Sequence, residues 1–211
     1  MRIFGELSQL IFPVRCFGCN RLGLSICSQC RSDWQPQYFL SHFANLRVHS
    51  AVLYSPTASK IILAAKENGL KEADKLIIEA IQGVLAQANF ANRTIELIPI
   101  PSSPSARRRR GRSFMVDITA QIAQRSGFRL TDVLELTRRV SDQSGLHAKA
   151  RAANMEGAFA LKPHAYPRGD LVLIDDVVTT GATLREAARA LTSQGLNVLA
   201  SVTACLAQPL R

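Results

Sequence analysis

The chain has 211 residues, 47% of them hydrophobic, and a formal net charge of +10 from 26 Lys/Arg against 16 Asp/Glu. That length supports one full hydrophobic core with a small appendage, and no apolar run reaches the roughly 20 residues that a bilayer-spanning helix needs. A helical membrane protein is excluded on these grounds, and the excess of cations directs attention to anionic ligands such as phosphate or nucleic acid.

Taken in chain order, Met1 to Val14 places Phe4, Leu7, Leu10 and Ile11 at helical spacing, interrupted by Glu6, Ser8 and Gln9. It lacks a continuous apolar stretch and a small-residue cleavage site, so it reads as an amphipathic docking helix and the protein as cytoplasmic. Cys16-Phe-Gly-Cys19 and Cys27-Ser-Gln-Cys30 follow. Two Cys-x-x-Cys pairs supply the four thiolates of a tetrahedral zinc site. Disulfides would suit an oxidising compartment, and a redox dithiol would need only one pair, so structural Zn²⁺ on Cys16, Cys19, Cys27 and Cys30 is the expectation. Four protein ligands close the site, which then supports the fold and does no catalysis.

Trp34 to Phe39 reads as a linker with apolar anchors, and Val48 to Tyr54 as a strand. Ser55-Pro56-Thr57 caps a helix from about Ser59 to Asn68, closed by Gly69. A second helix, Glu72 to Ala88, carries Leu76, Ile77, Ala80, Ile81, Val84 and Leu85 on one face. The strand Thr94 to Ile100 is stopped by Pro101-Ser-Ser-Pro104. Arg107, Arg108, Arg109, Arg110 and Arg112 come at once, in a stretch (101–160) holding eleven Lys/Arg against five Asp/Glu. Such a run is either solvated surface or a receiver for pyrophosphate or nucleic acid, which guanidinium groups bind bidentately. Its place directly after a strand favours the second.

Ser113 caps a helix to about Arg125, Asp132 to Thr137 is a strand, and the polar stretch Arg138 to Gly157 reads as a mobile loop. A buried strand Leu171 to Asp175, a helix Leu184 to Gln194 closed by Gly195, and a last strand Val198 to Ala207 complete the chain, with Cys205 as a small core side chain. Strands alternating with helices give an α/β fold with a mostly parallel twisted sheet and helices on both faces. The expected division is an N-terminal helix and zinc-ribbon segment over 1–45 and the α/β domain over 46–211. Ligands gather at the carboxyl ends of such strands, so the arginine loop, the 138–157 loop and the loop after Asp175 should meet over one edge.

That last loop is the most informative. The apolar run Leu171 to Ile174 ends in Asp175 and Asp176, followed by Thr179-Thr180-Gly181-Ala182-Thr183 and a helix. Backbone N–H groups and the positive end of the helix dipole make its start an anion site, with threonine hydroxyls as further donors. The two acids would repel a phosphate. Their partners are sugar hydroxyls or a hard divalent cation. One loop thus offers a phosphate cradle beside a diol or metal site. The string lacks the Gly-Lys-Ser/Thr of a P-loop and the Gly-x-Gly-x-x-Gly of a dinucleotide fold.

The string resembles the phosphoribosyl pyrophosphate (PRPP) motif of type I phosphoribosyltransferases. The whole chain resembles the ComF-type, also called GntX-type, bacterial proteins, a zinc-finger segment fused to a phosphoribosyltransferase domain. Lys66 with Gly69, Ile98-Pro-Ile-Pro101, Gln143-x-Gly-Leu146, Arg151-x-x-Asn154 and Ala158-Phe159 carry that likeness as well. Where the family usually reads Arg-Gly-Phe-Asn-Gln, this chain has Arg110-Gly-Arg-Ser-Phe-Met115. The resemblance implies Mg²⁺-dependent PRPP binding. Asp175 and Asp176 would sit on the ribose hydroxyls or Mg²⁺, and Thr179, Thr180, Gly181, Ala182 and Thr183 on the phosphate. The arginines would hold pyrophosphate, and Arg151 would come from a closing loop. It implies a role in competence and DNA uptake or in nucleotide metabolism. The alternative is a non-catalytic accessory of the uptake machinery that handles single-stranded DNA.

Overall fold

The structure, a computed structural model, describes residues 14–90, 93–137, 155–163 and 166–207. In chain order its elements are α1 (Ser28–Asp33), β1 (Phe39–Phe43), β2 (Leu46–Leu53), α2 (Pro56–Lys66), α3 (Lys71–Gln87), β3 (Ile95–Pro99), α4 (Pro104–Arg110) and α5 (Phe114–Ser126). They continue with β4 (Arg129–Leu130), β5 (Leu134–Leu136), β6 (Phe159–Leu161), β7 (Asp170–Val178), α6 (Ala182–Thr192) and β8 (Val198–Leu206).

Six strands form one sheet in the order β1-β2-β8-β7-β3-β4. Every neighbouring pair is parallel except the β1–β2 hairpin. On β7 the period of two sends Val172 and Ile174 into the apolar cluster shared with α2, α3 and α5, and Leu171 and Leu173 into the one shared with α6. Both faces are therefore covered, which is why this strand reads as unbroken apolar sequence. The expected α/β architecture with helices on both faces is the one observed.

Four local features differ from the sequence reading. Strand β7 runs through the acids to Val178, with Asp175 paired to Thr203 and Val177 to Cys205 of β8, because that neighbour strand continues past them. The arginine run is a short helix and not a loop. Ser103 caps it by accepting from the Ala106 N–H at 3.2 Å, Pro104 opens it, and Gly111 closes it at φ 67°. A strand over Phe39 to Phe43, absent from the sequence reading, begins at the last residue of the expected linker Trp34 to Phe39. Its turn residue Ala44 has φ 55°, so the usual glycine signal is missing. The segment expected as a strand from Asp132 to Thr137 contributes only β5, which pairs with the unexpected β6 outside the main sheet.

The cysteine segment is tied into the same core. Cys16, Ile26, Cys30 and Trp34 belong to the cluster of α2 and α3. The Trp34 indole N–H donates to the Leu76 carbonyl at 3.4 Å, and the Thr57 hydroxyl donates to Asp33 at 3.0 Å. The docking helix expected before Val14 and the loop 138–154, with Arg151, lie outside the described residues. Among the described residues no helix is long and apolar enough to cross a membrane.

Candidate functional site

Strands β3 and β7 lie side by side, so their carboxyl ends bring the arginine helix and the acid loop to one edge of the sheet. Asp175 and Asp176 are 9% and 5% exposed. Each turns one oxygen back on the backbone, Asp175 accepting from the Asp176 N–H at 2.9 Å and Asp176 from the Val177 N–H at 3.1 Å. The Lys66 ammonium, at the end of α2, donates to the other oxygen of Asp176.

This arrangement separates the two acids electrically. Burial, then the charge of Asp176, pushes the Asp175 carboxyl well above the usual carboxylate range. Burial acts the same way on Asp176, but the charge and hydrogen bond of Lys66 overcome it and hold Asp176 below that range. Lys66 in turn is disfavoured by burial and raised by the charges of Asp176 and Asp175. Asp176 and Lys66 thus form a part-buried ion pair beside a carboxyl that favours its proton.

Beyond β7, Thr179 is exposed and Thr180 partly so. Gly181 sits at φ +69°, and a Cβ there would lie 2.5 Å from the Phe43 ring, so both conformation and space require glycine. The Ala182 N–H points to the Thr180 hydroxyl at 3.4 Å, and α6 begins there. The turn therefore presents the start of an 11-residue helix at the carboxyl edge of the sheet, a location suited to an anion.

The five arginines divide. Arg110 donates to both carboxylate oxygens of Glu67 at 2.5–3.0 Å, and Arg109 reaches the same group at 3.4 Å. Arg112 donates to Asp74 at 2.9 and 3.2 Å and to Asp117 at 3.1 Å, fastening α3 to the start of α5. Arg107 and Arg108 are exposed and make no ion pair among the described residues. A cleft of about 230 Å³ opens beside Arg107, between the end of β3, the start of α5 and the β5–β6 pair, with Ser102, Ser113 and Lys162 on its walls.

Sequence reasoning missed Lys66 and Glu67 as parts of this edge. A lysine closing a helix reads first as a complement to the helix dipole, and only the fold shows the carboxylate 110 residues away that it meets.

The four sulfurs of Cys16, Cys19, Cys27 and Cys30 lie within 4.8 Å of one another, and all are free thiols. Metal–sulfur bonds of about 2.3 Å in a tetrahedron set sulfurs roughly 3.8 Å apart, so the set fits zinc. The Cys19–Cys27 separation is 3.6 Å, too long for a disulfide. Backbone N–H groups already face the sulfurs, Cys27 to Cys16 at 3.3 Å and Cys30 to Cys27 at 3.5 Å. A Cβ on Gly18 would lie 2.7 Å from the Cys30 sulfur. The knuckle is shaped around the thiols, and it could hold a closed structural ion.

Residues 75–209 match the model of the phosphoribosyl transferase domain family. The chain belongs to that family. It is also 26% identical over 205 residues to Competence protein F of Haemophilus influenzae, covering 86% of this chain and 85% of that one. Among solved structures it is similar to orotate phosphoribosyltransferase from Aeropyrum pernix, at 18% identity over 65% of this chain and 61% of that one, with a TM-score of 0.41. It is similar as well to adenine phosphoribosyltransferase from Saccharomyces cerevisiae, at 13% identity over 86% and 89%, with a TM-score of 0.44. A phosphoribosyltransferase domain preceded by a four-cysteine cluster is the ComF-type organisation that the sequence resembles.

Proposed function

We propose that this protein binds PRPP, or a similar phosphorylated ribose, together with Mg²⁺, and transfers the phosphoribosyl group in competence-linked DNA uptake or nucleotide metabolism. One observation carries the reading. Two adjacent buried acids, Asp175 and Asp176, stand near the carboxyl end of β7, ahead of the helix start at Gly181 and Ala182. Packing of β7 does not call for two adjacent buried acids, and an acid pair ahead of an anion cradle suits a phosphorylated diol.

In this proposal Asp175 and Asp176 orient the ribose hydroxyls and would hold Mg²⁺, directly or through water. Bound there, Mg²⁺ supplies neutralisation of the charge that grows on the departing pyrophosphate. Thr179, Thr180, Gly181, Ala182 and Thr183 bind the phosphate of the ribose, with the N–H groups at the start of α6. Arg107 and Arg108, outward-facing, take the pyrophosphate with Arg109. Arg110 and Arg112 hold the frame of that site through Glu67, Asp74 and Asp117. The family resemblance assigns Arg151 a part in excluding water as well, and that residue lies outside the described residues. The cysteine knuckle carries structural zinc, and the protein works in the cytoplasm.

A second reading is a non-catalytic accessory that binds single-stranded DNA beside other uptake proteins. The exposure of Arg107 and Arg108, and the likeness to Competence protein F, favour it. Base stacking weakens it, because Phe114 and Phe159 are buried and Phe128 packs on the core. Calorimetric titration with PRPP, with and without Mg²⁺, followed by a pyrophosphate-release screen across nucleobases, decides between them. The transferase reading expects Mg²⁺-dependent binding and release with an acceptor. Salt-sensitive oligonucleotide binding without release would favour the accessory.

A further inference from the structure

We propose that Lys66 is a built-in counter-cation, holding the place of the divalent ion at Asp176 until a phosphorylated ribose arrives with its own, so that the site takes metal only together with ligand. The inference rests on the Mg²⁺ and PRPP reading above and adds a positioning residue to it.

The geometry is specific. Lys66 closes α2, and its ammonium touches the oxygen of Asp176 that faces away from the Val177 N–H. The Asp176 side chain is 7% exposed, so the pair meets largely out of water. A divalent ion arriving alone would have to compete with this ammonium for the same carboxylate oxygen, and the guanidinium of Arg110 adds its own repulsion to Lys66. Like charges at contact distance in a partly dry site repel strongly. An anionic ligand reverses the balance, because its phosphate oxygens give both the ammonium and the metal a partner.

The exchange needs only a side-chain motion. Lys66 is 26% exposed on a flexible four-carbon stem, so its head can leave Asp176 for solvent or for a phosphate. The backbone beside it is anchored, since Glu67 is gripped by Arg110 and Arg109. Lys66 thus holds Asp176 in place without ligand, and yields the carboxylate when one binds.

The test uses the zinc-loaded full chain and Mn²⁺ as probe, with no PRPP present, read by electron paramagnetic resonance and calorimetry. The parent should show no Mn²⁺ binding at millimolar metal. Lys66→Gln should bind Mn²⁺ alone at least about tenfold more tightly, the scale of removing one repelling charge near contact. Lys66→Arg, which keeps the charge, should stay silent, and the gain should vanish in Lys66→Gln with Asp176→Asn. Folding of each variant is checked by melting. No gain in a folded Lys66→Gln overturns the proposal. So does micromolar Mn²⁺ binding by the parent, whatever the variants do. The parallel PRPP titration reports separately on the function: metal exclusion without PRPP binding would sink that reading and leave the metal–ammonium competition in place.

Discussion

Glu67 accepts from Arg110 through both carboxylate oxygens, one residue after Lys66 meets Asp176, so a single turn of α2 joins the arginine helix to the acid loop. This changes what charge neutralisation should do. Arg110→Gln removes a guanidinium whose side chain is 8% exposed and leaves Glu67 only the 3.4 Å contact with Arg109, and should cost about 1–2 kcal/mol of stability. Arg107→Gln with Arg108→Gln touches no ion pair among the described residues, so melting should not move while ligand affinity and its salt dependence both fall. Thermal melts beside titrations at two salt concentrations check this. Unchanged affinity in the Arg107/Arg108 variant would return those two residues to plain surface charge.

The turn at Gly181 should be sensitive to one methyl group. Gly181→Ala places a Cβ 2.5 Å from the Phe43 ring and forces φ +69° on an L residue, costing at least about 1–2 kcal/mol. Pairing it with Phe43→Ala should recover the steric part and leave the conformational part. A single variant as stable as the parent would contradict the role given to Phe43.

The cysteine knuckle is predicted to carry close to one zinc per chain, measurable by metal analysis of reduced, folded protein. Cys16→Ser and Cys30→Ser should lower zinc content and stability together, because both thiols are 2% exposed within the core shared with α2 and α3. A chelator should lower the melting temperature of the parent. Metal near zero in well-folded protein would remove the zinc site from the account.

Acid should weaken the opposite end of the sheet through Glu96. Burial raises this carboxyl, but hydrogen bonds from the Thr131 hydroxyl and the Arg168 and Gly169 N–H groups bring it below its ordinary value of 4.5. A folded-state value below the unfolded one contributes stability above pH 4.5 that is lost as pH falls through the folded value. Glu96→Gln should therefore destabilise by about 1–2 kcal/mol at neutral pH and by progressively less in acid. A constant difference between the two proteins from neutral pH to acid would contradict this.

The sequence carried the sheet and the acid loop because both rest on local signals. Leu171 to Ile174 could be apolar on two faces only in a covered parallel sheet, and the Thr-Thr-Gly-Ala-Thr turn announces a helix start. It hid whatever depends on distant pairing. Lys66 and Asp176 are 110 positions apart, and nothing near either of them announces the other. Strand β1 was masked by a turn without glycine, and α4 by a charge run that drew attention from its Ser103, Pro104 and Gly111 caps. The same distant pairing makes the two adjacent acids unequal for stability, because Asp176 is the partner of the part-buried Lys66. Asp175→Asn should thus be neutral or stabilising, whereas Asp176→Asn leaves Lys66 unpaired and should cost about 1–3 kcal/mol.

The measurement that bears most directly on the central claim is calorimetric titration of PRPP, with and without Mg²⁺, into the parent and into Asp175→Asn with Asp176→Asn. Melting curves establish first that the double variant is folded. The account predicts Mg²⁺-dependent binding by the parent and its loss in the folded double variant, because the proposal puts both acids on the ribose and its metal. Equal binding by the two proteins, or no PRPP binding by the parent under any Mg²⁺ concentration, would contradict it and leave the acid pair without the role assigned to it.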